Sequence, residues 1–408
     1  MAEKRVFDGI KVLDFTWAAI GPLVARYLAM HGATVVKVES QVHIDGVRML
    51  PPYIGGKVSI NAGFLASEAN INKYALGINL AKPKGPWTMK EIVKRWQPDI
   101  ITENFTPKTM SKWGLDYNSV KEIKSDIIFF SSCQMGQDGI WSDYPGLGHL
   151  AAAMAGYFEM TGWPDRGPSV PFGAFSDFVC PPLAISAVIA ALEYRRRTGK
   201  GRHIDLSQLE GAVSFFSPLI MDFFATGRQT TRQGNRDEAF IPHGVYPCQG
   251  EERWIAISVT NDVEWKALCE EISSHWCCDE RFSTFLLRRV NEDSLNQLLS
   301  AWTQEFIAEE LMSRLQKAGV PAAVVQNSAD LYEDPHLAER TFFRIMEHPE
   351  GGTCPVMRVP FQMSKTPDSR ERLFTAIGRD NEYVMRELAG FSDEEISELV
   401  IDGVVEVS

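Results

Sequence analysis

Among the side chains able to do chemistry, Asp177 has the most distinctive setting: it stands in GAFSDFVCPPLAIS, between a glycine-containing turn and the start of an apolar helix. A carboxylate placed there lies near helix N-terminal amides, which favour its ionised form and suit it to nucleophilic attack on a carbonyl carbon. An aspartate that only caps the helix fits the same position. His149, in GLGHLAAAMAG, and His243, in IPHGVYP, carry a general base's ring, but a lone imidazole beside small residues more often packs or caps. Cys133 and Cys180 fall near expected strand ends without a histidine at a recognisable spacing, and read as buried thiols. Between Lys82 and Lys124 nine basic residues outnumber five acidic ones, in a stretch that includes tryptophan. Such a segment can hold a phosphorylated nucleotide by charge and stacking, and it can equally be solvated helix surface.

The elements that must position these groups read as an alternation of short β-branched runs and helices. GIKVLDF from Gly9, ATVVKVE from Ala33, PDIITENF from Pro98 and SDIIFFSS from Ser125 are the strands. Between the first two, Val24, Ala25, Leu28 and Ala29 share one helical face that Gly32 closes, as a crossover requires. The pattern predicts βαβ units in a doubly wound, Rossmann-like parallel sheet. A long helix over Leu183–Tyr194 runs into the basic cluster RRRTGKGR, and HIDLSQLEGA resumes strand then helix. The polar segment over Thr226–Glu238 reads as a linker, with strands RWIAISV from Arg253 and PAAVVQ from Pro321 in a smaller α+β unit beyond it. We therefore expect a large α/β domain over 1–224, completed by 331–408, and a small α+β domain over 225–330. Ser392 and Glu395 form a capping-box pattern ahead of an apolar run.

At 408 residues, with 45% hydrophobic and 23% charged side chains, the chain can bury a core without staples. A net charge of −12 argues against general nucleic-acid or membrane-surface binding, so an anionic ligand must be met locally. Seven cysteines in no CxxC or zinc spacing suggest reduced thiols and no structural metal. No signal peptide is legible, and the longest uncharged apolar run, over Phe178–Leu192, contains two prolines and is short for a span, so a cytoplasmic location is expected. The first strand is followed by DFTWAAIGP rather than GxGxxG, and no Walker loop, HExxH or GxSxG occurs. Dinucleotide oxidoreductases, kinases, zinc hydrolases and α/β-hydrolases are thereby disfavoured.

Nine segments in order resemble the family III coenzyme A transferases, the group that includes formyl-CoA transferase and carnitine CoA-transferase. They are GIKVLDFTWAAIGP, GATVVKVES, NKYALGINLAKPKG, TENFTPKTMSKWGLDY, SSCQMGQDG, GAFSDF, RRRTGKGRHIDLSQLEGA, PHGVYPCQGEERWIAISV and AGVPAAVVQNSADLYEDPHLAER. The resemblance implies CoA transfer from an acyl-CoA to a carboxylic acid, with Asp177 as nucleophile and mixed-anhydride and aspartyl-CoA thioester intermediates. CoA is then a substrate, and no tightly bound cofactor or metal is needed. The resemblance also implies contacts to CoA from Ala18, Ala19 and Ile20, from Asn72 and Lys73 near the phosphates, and from Asn104, Phe105, Lys112 and Trp113 around the nucleotide. Gln137 matches a position beside the nucleophile that can donate to a developing oxyanion.

The chain departs from the family pattern at Ser40, where formyl-CoA transferase carries an arginine, and at Gln134, where a glycine is common. The opening and the QGNR…PHGVYPC region look most like succinyl-CoA:benzylsuccinate CoA-transferase; a bulky, apolar acceptor would fit Trp17, Phe172, Phe175 and Phe240, aromatic residues that core packing explains equally well. Family members form interlocked dimers, and some relatives pair two homologous subunits. A homodimer or such a heteromer is expected, with a non-catalytic CoA-binding subunit as an alternative. The α-methylacyl-CoA racemases share the superfamily, but the position of their histidine holds Leu147, with His149 two places late.

Overall fold

A computed structural model describes residues 4–407 of the chain. Its central sheet has six parallel strands, β1 (Lys11–Asp14), β2 (Thr34–Glu39), β3 (Tyr74–Gly77), β4 (Ile100–Glu103), β5 (Ile128–Cys133) and β6 (Arg202–Ser207). They lie in the order β3-β2-β1-β4-β5-β6, with Leu13 of β1 opposite Val36 on one side and Ile101 on the other. Both faces of the sheet are covered, which is why the strands read as apolar runs without alternation. Val12, Val35, Ile100, Ile128 and Phe130 pack on one face with the Ile20–Met30 and Pro181–Thr198 helices. Their neighbours Leu13, Val36, Ile101 and Phe129 point to the opposite face, against Met89, Ile92 and Val93 of the Gly85–Trp96 helix and Leu399 near the C-terminus. The two-residue period of a strand sorts one hydrophobic run into two cores.

Five of these strands were expected, β6 from the HIDLSQLEGA segment. β3, with the sequence YALG, is too short and too lightly branched to announce itself. The helix expected over Leu183–Tyr194 runs over Pro181–Thr198, with both prolines in its first turn, where a missing N–H leaves no bond unmade. Its basic residues Arg195, Arg196 and Arg197 lie inside the last turn rather than beyond it. With the preceding turn it forms an apolar stretch over Phe175–Thr198 long enough by composition to cross a membrane. That stretch carries Asp177, and its Pro181–Thr198 helix packs on the Ile20–Met30 helix and on β5 and β6, the place of a crossover helix.

The chain divides into two compact units. The first takes the described residues up to Phe158, then Val170–Gln229 and the chain from Ala338 onward. In it β10 (Phe343–Glu347) and β11 (Thr353–Met357) form an antiparallel hairpin, and Ser392 and Glu395 close the expected capping box on the Asp393–Ile401 helix. The second unit takes Glu159–Ser169 and Thr230–Leu337. It holds an antiparallel sheet of β7 (His243–Pro247), β8 (Trp254–Ser258) and β9 (Ala322–Val324), whose core gathers Tyr246, Ile255, Ile257, Leu268, Leu299 and Leu311.

Candidate functional site

The sheet order reverses between β1 and β4, and in open α/β sheets ligands bind beyond the carboxyl ends of the strands at such a point. Trp17 and Ala18 follow β1 there, and Asn104 and Phe105 follow β4. The turn after β1 is held from both sides. The Asn104 carboxamide accepts from the Trp17 N–H at 2.6 Å and donates to the Trp17 carbonyl at 2.7 Å. Asp45 accepts from the Ala18 N–H at 3.0 Å, which secures Ala18 in the left-handed region at φ 61°. Beneath the turn, Asp14 is fully buried and accepts from the Thr16 N–H, the Thr16 and Thr102 hydroxyls and the Lys73 ammonium. Burial pushes its carboxyl upward, but Lys73 and Lys37 outweigh this and hold it below the usual range.

Two cavities open at this edge. The larger, of about 330 Å³, is lined by Trp17, Ala18, Ile20, Asn104 and Phe105, by Ser132, Cys133 and Gln134 at the end of β5, and by Asp177 and Gln208. The smaller, of about 130 Å³, is lined by Phe15, Trp17, Val38, Ser40, His43, Ile78, Phe105 and Trp113. Trp17 and Phe105 belong to both. Ring centroids 5.5 Å apart for Trp17–Phe105 and 5.6 Å for Phe105–Trp113, both edge-to-face, make an aromatic row between them.

Asp177 lies in the first turn of the short Phe175–Val179 helix, 9% exposed. Burial raises its carboxyl to about pKa 6, a shift moderated by a hydrogen bond from Gln208 and by the charge of His149. The Ser176 hydroxyl donates to the Gly148 carbonyl at 2.7 Å and lies 3.1 Å from Gln208 Oε1, which ties the three residues together beside the carboxylate. The carboxylate rests on Gly148, where a Cβ would stand 2.5 Å from Oδ2. Cys133 and Cys180 are pushed up to about 11 by burial and stay neutral thiols at physiological pH.

The structure brings together Asp177, Ala18, Ile20, Asn104 and Phe105, with Trp113 in the adjoining cavity and Ala19 buried in the turn between Ala18 and Ile20. It places others elsewhere. Lys73 has no exposed surface and is spent on Asp14, Asn70 and the Pro22 carbonyl, which removes it from any phosphate. Asn72 is a turn residue at φ 64° whose amide bonds Ser369 and the backbone of Glu371 and Arg372. Lys112 is exposed on the Thr109–Trp113 helix.

Gln137 is not in the cavity wall. Its N–H donates to Asp205 at 2.8 Å and its side chain to Glu103, a buried carboxyl pushed to about 7. Gln134 takes that wall position. Of the aromatic residues expected around an acceptor only Trp17 lines the cavity, joined by Phe105 and Tyr144. Phe172 is 98% exposed, Phe175 packs 4.6 Å from Tyr157, and Phe240 belongs to the second unit. Asp45, Gly148 and Gln208 are supports that residue types alone did not single out.

The parallel sheet thus carries a cavity of about 330 Å³, an aromatic row and a buried carboxylate at its switch point. The chain belongs to CoA-transferase family III, whose model matches residues 7–381, and it is a CoA-transferase. It is 27% identical to the succinyl-CoA–D-citramalate CoA-transferase of Chloroflexus aurantiacus over 98% of both chains. It is 32% identical to the acetyl-CoA:oxalate CoA-transferase of Acetobacter aceti, covering 83% of this chain and 85% of that one. A solved CaiB/BaiF family protein from Brucella suis superimposes with a TM-score of 0.86 at 27% identity, over 95% of this chain and all of the other.

Proposed function

We propose that the enzyme moves CoA from an acyl-CoA, with succinyl-CoA as donor, to a carboxylic acid, using Asp177 as the covalent nucleophile. The observation that carries this reading is a carboxylate in the wall of a cavity at the switch point, beside an aromatic row, with a pKa low enough to be ionised near neutrality. The thioester enters the larger cavity, and the nucleotide end of CoA lies toward the smaller one, stacked along Phe105 and Trp113, with Lys112 as the exposed cation for a phosphate.

Asp177 attacks the thioester carbonyl, forming the C–O bond of a tetrahedral adduct. Its collapse breaks C–S and gives an acyl-aspartyl anhydride with CoA thiolate. The thiolate attacks the aspartyl carbonyl, releasing the acyl group as carboxylate and leaving an aspartyl-CoA thioester. An acceptor carboxylate attacks that thioester, and thiolate attack on the acyl carbon of the resulting anhydride yields the new acyl-CoA and restores Asp177. Thioester energy is conserved through each covalent species, so exclusion of water is essential.

Trp17, Phe105 and Tyr144 give the cavity an aromatic wall, which supports benzylsuccinate as one acceptor. The Ser217–Thr226 helix buries none of its residues, with Phe224 86% exposed, which supports a second copy of the chain covering it in a dimer. The test follows CoA transfer from succinyl-CoA to benzylsuccinate, citramalate, glutarate and oxalate by chromatography. Asp177→Ala abolishes transfer while CoA still binds, and unchanged turnover in that variant refutes the assignment. His149 acts on Asp177 electrostatically, which makes proton abstraction at the acyl α-carbon the second reading. Exchange of the α-proton in deuterium oxide without transfer would favour it.

A further inference from the structure

Two polar groups in the wall of the Asp177 cavity lack a hydrogen-bond partner: the Ser132 hydroxyl and the Gln134 carboxamide, whose Oε1 and Nε2 are both buried. Buried polar atoms are ordinarily satisfied, and leaving one unpaired is unfavourable enough that each case needs an explanation. The backbone around them is fixed, since the Gln134 carbonyl accepts from the Leu209 N–H at 2.9 Å and from the Ser207 hydroxyl at 3.3 Å. Ser132 is the last residue but one of β5 and Gln134 follows the strand's end, and both line the same cavity. Gly146 lies over the amide, and a Cβ there would fall 2.0 Å from Gln134 Oε1. Gly146 thus brings backbone over the amide, on a loop that is itself exposed.

The cavity wall contains no lysine, arginine or histidine, so the side-chain donors that line it are neutral. Several of the other donors are engaged. Gln208 is shared by Ser176 and Asp177, and the Thr106 and Thr109 hydroxyls bond each other at 3.0 Å. We propose that Gln134 Nε2 and Ser132 Oγ form the oxyanion site, receiving the carbonyl oxygen when the thioester or anhydride is attacked. As the C–O bond forms, the carbonyl π pair moves onto that oxygen, and it returns when the C–S or C–O bond to the leaving group breaks. Donors already desolvated and fixed in place need no reorganisation at that moment.

The inference rests on Asp177 as nucleophile, and its test separates the two. Gln134→Met keeps the volume and removes the amide, and Ser132→Ala removes one hydroxyl. Wild type and both variants are compared for kcat, KM, CoA affinity, melting temperature and the rate at which succinyl-CoA labels Asp177. Removal of one preorganised donor lowers rate by about 10²- to 10³-fold in known oxyanion sites. We expect Gln134→Met to lose kcat and labelling rate together on that scale, with CoA affinity unchanged. Its melting temperature should be equal or higher, because an unpaired amide leaves the interior. Ser132→Ala should lose rate in the same direction by a smaller factor. Turnover within about threefold of wild type in both variants, with labelling of Asp177 intact, overturns the oxyanion assignment and leaves the nucleophile standing. Absence of wild-type labelling at Asp177 overturns both.

Discussion

Replacing Asp177 by asparagine preserves the shape of the side chain and deletes a charge that burial disfavours. The carboxyl is displaced from its ordinary 3.8 to about 6. At about 1.4 kcal/mol per unit, that displacement corresponds to roughly 3 kcal/mol between the protonated and ionised forms. A group whose folded pKa is raised binds its proton more tightly in the folded state than in the unfolded one. Stability then falls as pH rises from the unfolded value to the folded value, and levels off above it. Asparagine has no such dependence. The stability of Asp177→Asn minus that of wild type should therefore grow by about 3 kcal/mol between about pH 4 and pH 7 and stay constant beyond. Paired urea titrations across this range measure the difference directly, and titrations shared by both proteins cancel. In parallel, wild-type transfer should rise with pH through a midpoint near 6, because only the ionised carboxylate attacks. A stability difference that is flat with pH, or a rate that is flat from about pH 5 to 8, refutes the picture of a buried nucleophile poised near 6.

Lys73→Met should destabilise the chain by about 3–5 kcal/mol in denaturant titrations, because it strands the buried Asp14 charge. CoA affinity of the protein that remains folded should be unaffected, and a selective loss of CoA binding would return Lys73 to the ligand. Gly148→Ala places a methyl 2.5 Å from Asp177 Oδ2 and forces the carboxylate to shift, so kcat should fall at least about tenfold with a destabilisation of about 1–3 kcal/mol. Wild-type kcat in that variant would show that the carboxylate does not rest there. Asn104→Ala frees the Trp17 N–H and carbonyl, with an expected loss of about 1–3 kcal/mol in stability and a raised KM for acyl-CoA, both read by standard titrations.

Much of the frame is visible in the residues because parallel strands buried on both faces must be largely apolar, as VLDF, TVVKVE and DIIFFSS are. β3 and the β10–β11 hairpin escape notice because YALG, FRIME and TCPVM are short or carry charge and proline. Nothing local in Glu159–Ser169 marks it as part of the second unit, since that membership arises from distant contacts such as the Gly234 N–H to the Gly162 carbonyl. At the site, the setting of Asp177 and the turns after β1 and β4 are legible. Lys73 misleads because a lysine in a family-like motif carries no sign of being buried on an aspartate 59 residues away. The choice between Gln134 and Gln137 turns on which way the chain bends after β5, and two glutamines three residues apart do not reveal it.

Trapping the covalent intermediate decides whether Asp177 is the nucleophile. Purified enzyme is mixed with succinyl-CoA in the absence of acceptor, quenched with hydroxylamine or borohydride, and mapped by peptide mass spectrometry. A single modified peptide is expected, with the hydroxamate or the reduced alcohol at Asp177, absent from Asp177→Asn. Modification at another residue, or transfer proceeding at the wild-type rate with Asp177 unmodified, contradicts that assignment.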